Sequence, residues 1–247
     1  MEKIKISAVS YTNSKPFIYG IQHTEIINKI DLSLDIPADC AGKVIDNKVD
    51  IGLIPVAATL NMPYWNIVAD YCIGAKGAVN SVFIFSNCEI HKLKWLQLDP
   101  ESRTSNNLAR VLLKNYWKVD PELITDDPDY SNLIGNETAF VQIGDRTFGK
   151  KGKFAFAYDL AEEWQKFTGL PFVFAAWIAN KPIEQSFIDE FNASLKYGLA
   201  HREALFAEIP ARDDFDIQDY LMNKIDFDLT EDKTQALHLF LEYLKAL

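Results

Sequence analysis

The chain has little of what usually builds metal, redox or disulfide centres. Its three cysteines, Cys40, Cys72 and Cys88, include no C-x-x-C spacing, which argues against a disulfide framework and a thiolate zinc site. They read as buried thiols in a reducing compartment. Its four histidines, His23, His91, His201 and His238, fall on expected helices or a connection, away from every turn singled out below, and read as packing or surface residues. No apolar run approaches the roughly 18 residues that a membrane span needs. Low-complexity tracts and Gly/Ser linkers are absent as well, so neither disorder nor a flexible tether is expected. Basic residues are outnumbered, 25 Lys+Arg against 35 Asp+Glu, for a formal charge of -10. The densest basic cluster, Lys150, Lys151 and Lys153, sits beside Gly149 and Gly152 and reads as a solvated turn. Nucleic acid and anionic membranes are therefore not expected partners. The N-terminal segment is a charged strand rather than an apolar leader, which gives a cytoplasmic expectation.

What is present is a succession of strand-to-helix turns. Lys3 to Val9 alternates charged and apolar residues, as a strand entering a sheet does, and then meets Ser10-Tyr11-Thr12-Asn13-Ser14-Lys15-Pro16-Phe17. Pro16 suits the first turn of a helix, where its missing N–H would be unpaired anyway, and Asn13 or Ser14 can cap that turn. Such a junction leaves free N–H groups and a partial positive charge above the sheet, a place that favours an anion. The same residues would also serve as a plain cap.

The pattern recurs along the chain. Helices are expected over Phe17 to Ile30 and Ala38 to Lys48, a strand over Leu32 to Ile36, and a doubly buried strand over Val49 to Ile54 that ends at Pro55. Asn66 to Ala75 and Val79 to Ser86 are β-rich. Leu93 to Leu98 leads through Ser102-Arg103-Thr104-Ser105 into a helix over Asn107 to Tyr116, a second junction rich in hydroxyls. An acidic, turn-rich stretch, Asp120 to Asn136, precedes a strand over Ala139 to Ile143 that ends at Gly144-Asp145. Phe154 to Tyr158 is a strand, and Asp159 caps a helix to Phe167. The strand Phe172 to Ala179 is followed by helices over Ser186 to Phe206, Ile217 to Ile225 and Thr230 to Leu247. Strands alternating with helices predict an α/β protein with largely parallel pairing, whose ligands sit outside the carboxyl ends of the strands. Two βα-rich halves without a linker predict a discontinuous first lobe, 1–85 plus 175–247, around a second, 86–174.

In order and spacing, several segments resemble the chorismate dehydratases of the futalosine route to menaquinone. They are Val9-Ser10-Tyr11-Thr12-Asn13-Ser14-Lys15-Pro16, Asp50-Ile51-Gly52-Leu53-Ile54-Pro55, Gly77-Ala78-Val79-Asn80-Ser81-Val82, Leu98-Asp99 with Ser102-Arg103-Thr104-Ser105, Ile143-Gly144-Asp145, and Tyr158 to Trp164 with Gly169 to Phe174. The resemblance implies a periplasmic-binding-protein-like (type II) fold, two α/β lobes with a central cleft, and a lyase that removes water from chorismate without a metal or other cofactor. It places the family's Asn and Ser on Asn13 and Ser81 as catalytic residues, with Tyr11, Ser14, Arg103, Thr104, Ser105, Gly144 and Asp145 as substrate-binding candidates. The chain departs from the family after Pro55, where Val56-Ala57-Ala58 replaces a hydroxyl and an acid. A sister family, making dihydroxynaphthoate with a catalytic His, resembles the chain less.

The residues support part of this independently. Ser81 interrupts an apolar strand, where an unpartnered hydroxyl would cost about 1–3 kcal/mol, so lining the cleft explains it better than packing does. Strand alternation lets only one of Asn80 and Ser81 face the site; Ser81 is the choice and Asn80 the fallback. Without a neighbouring His, Ser81 is not read as a hydrolytic nucleophile. Asp145 is read as an acid or base, a helix cap or an interlobe contact, and Arg103 and Lys15 as carboxylate partners or solvent-facing cations. Two functions remain open: a lyase acting on chorismate, or a solute-binding protein that only clamps an organic anion.

Overall fold

The structure, a computed structural model, describes residues 3–125 and 137–247. Residues 126–136 of the stretch expected to be acidic and turn-rich lie outside the described residues. In chain order the elements are β1 (Ile4–Val9), α1 (Lys15–Gln22), β2 (Ile30–Asp35), α2 (Pro37–Ile45), β3 (Ile51–Pro55), β4 (Asn66–Ala75), β5 (Val82–Ser86), β6 (Trp95–Gln97), α3 (Arg103–Leu112), β7 (Glu122–Ile124), β8 (Thr138–Ile143), β9 (Phe156–Asp159) and α4 (Leu160–Thr168). Then follow β10 (Phe172–Ala179), α5 (Gln185–Ala200), the short α6 (Arg202–Leu205) and α7 (Ile217–Asp219), β11 (Asp226–Asp228) and α8 (Glu231–Lys245). Among the described residues no helix is long and apolar enough to cross a membrane.

Two mixed sheets result, six strands in the order β11-β4-β10-β3-β1-β2 and five in the order β7-β6-β8-β5-β9. The βα junctions make β1 parallel to both β2 and β3, while β10 returns antiparallel between β3 and β4. The chain leaves the first sheet after Ala75, builds the whole second sheet, and returns at Phe172. Both crossings fall earlier than the sequence pattern indicates. β5 pairs with β8 and β9, so Val82 to Phe85 sit in the second sheet, and Phe172 and Val173 pair with Ala75 and Gly74 in the first. These strands are apolar and buried on both faces, so their composition carries no mark of which sheet they join.

Local rules explain the remaining differences. The expected helix from Phe17 to Ile30 stops at Gln22 and resumes as a 3₁₀ turn over Glu25–Lys29. α3 begins earlier than expected, at Arg103, and runs through a π turn at Leu113–Trp117 to Lys118, whose left-handed backbone (φ 57°) ends it. Asp159 caps α4 by accepting from the Ala161 and Glu162 N–H groups. Thr230 caps α8 without a reciprocal Glu, and Lys233 at that position has another task. Its side chain is 1% exposed, and its ammonium donates to the Asp226 and Asp228 carbonyls at 2.6 Å each and lies 3.1 Å from the Asp226 carboxylate. Lys233 thus ties α8 to edge strand β11.

The opening turn is held from behind. α1 lies so close to α5 that a Cβ at Gly20 would meet the Ser194 carbonyl at 2.0 Å, and one at Gly198 the Pro16 carbonyl at 1.9 Å. Phe17 packs edge-on against Trp177 and Phe227, which seats the residues preceding α1 above the carboxyl end of β1.

Candidate active site

Between the sheets lies a largely apolar cleft with about 570 Å³ of atom-free space, part of it open to solvent. Val9, Ile73, Val82, Ile143, Phe174 and Ile225 give the cavity its apolar wall.

Six of the nine site residues expected from sequence line this cavity: Tyr11, Asn13, Ser81, Thr104, Ser105 and Gly144. They come from the junction after β1, the entry to β5, the start of α3 and the end of β8. Arg103, Ser14 and Asp145 are not brought to it. The exposed Arg103 faces an outer groove with Asn106, Asn107 and Arg110, because consecutive residues at a helix start point in different directions. The buried Ser14 hydroxyl donates back to the Val9 and Tyr11 carbonyls and shapes the turn. Asp145 accepts from the Thr12 hydroxyl at 2.8 Å and the Thr12 N–H at 3.2 Å, joining the two lobes. Asn80 turns away through a left-handed backbone (φ 58°) and accepts from Lys151, leaving Ser81 to face the cavity. Lys15 is also absent from the lining.

The start of α3 is a built donor site. Ser102 caps the helix, accepting from the Ser105 N–H at 3.1 Å. The Thr104 hydroxyl oxygen accepts from the Ala57 N–H at 3.2 Å, across the lobes, so its hydrogen is free to donate. The unpaired N–H groups of the first turn add a partial positive charge. Together these can hold a carboxylate without any basic side chain. Among the described residues no Asp, Glu, His, Lys, Arg or Cys lines the cavity; its one titratable group is Tyr11.

Sequence reasoning missed Tyr220, which stands directly behind Ser81. Its hydroxyl donates to Ser81 Oγ at 2.8 Å. Burial pushes its phenol well above the ordinary tyrosine range, so it stays protonated. Nothing local betrays it, since a tyrosine on an amphipathic segment such as Ile217 to Ile225 is an ordinary core residue.

A charged cluster beside the cavity was also missed. Asp99 is fully buried and accepts from the Ile143 N–H (3.0 Å), the Glu101 N–H (2.9 Å) and Arg146 Nη2 (2.8 Å). Burial raises its pKa and Arg146 opposes that rise; with every neighbouring proton pointed at it, Asp99 is ionised. Asp99 in turn holds the Arg146 proton more firmly than usual. Arg146 lies 3.4 Å from Glu101, whose carboxylate accepts from the Tyr11 hydroxyl in the other lobe. Burial and that carboxylate keep the Tyr11 phenol protonated too. Asp159, pushed up to about 6 by burial, accepts from the Asn80 N–H at 2.7 Å and so pins the segment entering β5.

Two α/β lobes, crossed twice by the chain around a central cleft, define a periplasmic-binding-protein-like fold, and solved structures share it. A protein from Archaeoglobus fulgidus superposes with a TM-score of 0.74 at 14% identity, covering 99% of this chain and 97% of that one. A Candida albicans protein described as having the generic periplasmic binding protein fold gives 0.67 at 10% identity, covering 100% and 91%. The periplasmic aliphatic sulphonate binding protein of Escherichia coli gives 0.59 at 13%, also covering 100% and 91%. Within that fold the chain belongs to the menaquinone biosynthesis family, which it matches over residues 4–246. It is 24% identical to a chorismate dehydratase of Campylobacter jejuni, over 97% of this chain and 96% of that one.

Proposed function

We propose that the protein is a cytoplasmic chorismate dehydratase, a carbon–oxygen lyase of the futalosine route that converts chorismate to 3-[(1-carboxyvinyl)oxy]benzoate and water. Family membership and the Campylobacter jejuni relative support a substrate of this kind. The observation that carries the reading is the lining of the cavity. It offers hydroxyl, amide and backbone donors for a dianion, together with an apolar wall for a ring, and it has no conventional base.

That chemistry suits this elimination. The ring C–H beside the ether oxygen breaks, its electron pair enters the ring, and the neighbouring C–OH bond breaks as the ring becomes aromatic. The substrate's own enolpyruvyl carboxylate takes the proton, the hydroxyl departs with the C–O bonding pair, and the proton passes from the carboxylic acid to that oxygen, so that water leaves and the carboxylate is restored. Because aromatisation makes the step strongly downhill, a weak base held in position suffices. Ser81 and Asn13 are assigned to the departing oxygen. The first turn of α3, with Thr104 and Ser105, is assigned to a carboxylate.

Mixing the purified protein with chorismate and following aromatic absorbance tests the reading. Product formation supports it, whereas tight binding without turnover identifies a solute-binding protein instead. An analogue with the side-chain carboxylate replaced by an amide is expected to be inert, while Asp145→Asn keeps turnover. A reactive amide with a folded, dead Asp145→Asn sends the proton to the protein.

A further inference from the structure

Ser81 has one hydroxyl hydrogen, and its direction decides whether the residue donates to the ligand or turns its lone pairs toward it. A serine hydroxyl rotates freely unless a neighbour restricts it. Here the neighbour is Tyr220, and we propose that Tyr220 is a positioning residue that orients the Ser81 hydrogen into the cavity. This rests on the reading that Ser81 donates to the departing oxygen of the substrate.

The geometry fixes the direction of donation. Tyr220 Oη lies 2.8 Å from Ser81 Oγ, and both side chains are buried, at 1% exposure each. Two hydroxyls at that distance cannot both point their hydrogens along the line between them. Tyr220 is the donor of the pair and Ser81 Oγ the acceptor. With its oxygen accepting from Tyr220, Ser81 has its own hydrogen left for the open side, which is the cavity it lines. The result is a directed relay, Tyr220 to Ser81 to ligand, in which the first bond polarises the second.

Tyr220 is held rigidly enough for this. Its ring meets Phe148 and Phe215 edge-on, with centroids 5.3 and 5.4 Å away, and those two rings stack at 3.8 Å. Its phenol remains protonated because burial raises its pKa, so it serves as a donor and not as a base. The segment carrying it lies between β10 and β11 of the first sheet, whereas Ser81 directly precedes β5 of the second.

Tyr220→Phe removes one oxygen and keeps the ring packing. It is expected to lower kcat about tenfold, the rate equivalent of one net hydrogen bond, with KM for chorismate within about twofold. In the Ser81→Ala background the same change is expected to cost less than about twofold, because the residue through which Tyr220 acts is gone. Loss of the full tenfold in that background overturns the proposal, as does unchanged kcat in the single variant. Neutron diffraction from the perdeuterated wild-type protein reads the chain without any activity. A deuterium on Tyr220 directed at Ser81 Oγ, with the Ser81 deuterium in the cavity, supports the proposal. A Ser81 deuterium directed at Tyr220 overturns it. If the wild type fails to dehydrate chorismate while the neutron map shows the expected directions, the functional reading fails and the orientation stands.

Discussion

Two polar regions share the cleft and are built on opposite chemistry. Around the cavity, Asn13, Ser81, Thr104, Ser105 and Tyr220 are all neutral, and their hydrogen bonds run among themselves or to backbone. Immediately beside it, Asp99, Arg146 and Glu101 are charged and paired, with Tyr11 bridging from the other lobe. The charged cluster reaches the other lobe through Tyr11, and the neutral groups Asn13, Ser81, Thr104 and Ser105 line the cavity. This division suits a dianion whose own carboxylate takes the proton. A protein carboxylate in the lining itself would repel the substrate, and a lysine or arginine there would pair with the carboxylate that must act as base. Neutral donors avoid both effects while still stabilising the oxygen that leaves.

The strongest way to break the comparison is to remove a neutral donor. Asn13→Ala or Ser81→Ala is expected to lower turnover of chorismate by about 10²–10³ with the fold intact, since one preorganised donor to developing charge is worth that much. Steady-state rates and circular dichroism check it. Folded variants with near-normal turnover would show that the neutral region is packing and not machinery.

How far these regions were legible beforehand follows from the range over which each residue acts. Asn13, Thr104 and Ser105 stand at junctions marked by local signals, a strand running into a Pro- or hydroxyl-started helix. Ser81 stands out as a hydroxyl in an apolar strand. The strand from Phe172 to Ala179 is read over its whole length because Gly169-Leu170-Pro171 punctuates it. Tyr220 reaches Ser81 across 139 residues, and Arg146 reaches Asp99 across 47. Pairings at that range leave no periodicity or cap for the sequence to display. Asp145 shows the limit from the other side. Its place after a strand and a glycine allowed an acid, a cap or an interlobe contact, and only its bond to Thr12, 133 residues away, separates them. Arg103 and Thr104 are adjacent in one motif, yet only the second lines the cavity, because a helix start fans its side chains outward.

The charged region is tested by taking its cation away. Arg146→Met leaves Asp99 fully buried without its partner, and breaking a buried pair in this way costs about 3–5 kcal/mol. For a chain of this size that corresponds to a fall of roughly 10 °C in Tm, read by calorimetry. At low temperature the fraction still folded is expected to turn over chorismate within about threefold of wild type, since Arg146 does not line the cavity. An unchanged Tm with lost turnover would reverse the roles assigned to the two regions.

The smallest change touches the seam between them. Gly144 lines the cavity in a left-handed backbone (φ 63°), and a Cβ there would meet the Tyr11 ring at 2.9 Å. Gly144→Ala therefore carries a backbone penalty of about 1–2 kcal/mol and also pushes Tyr11 away from Glu101. Among the described residues Tyr11 is the side chain that both lines the cavity and bonds the charged cluster, so its displacement is expected to weaken the contact between the lobes while leaving Asn13, Ser81 and Tyr220 in place. The expected result is a Tm lower by roughly 5 °C and a KM for chorismate raised about fivefold, with kcat within about twofold. Tyr11→Phe supplies the complementary measurement, because it keeps the ring against Gly144 and removes only the bond to Glu101. If the seam works through closure, Tyr11→Phe raises KM in the same sense and leaves kcat alone. If Gly144→Ala instead lowers kcat at unchanged KM, the ring of Tyr11 acts on the reacting groups, and the separation of a charged latch from a neutral site does not hold there.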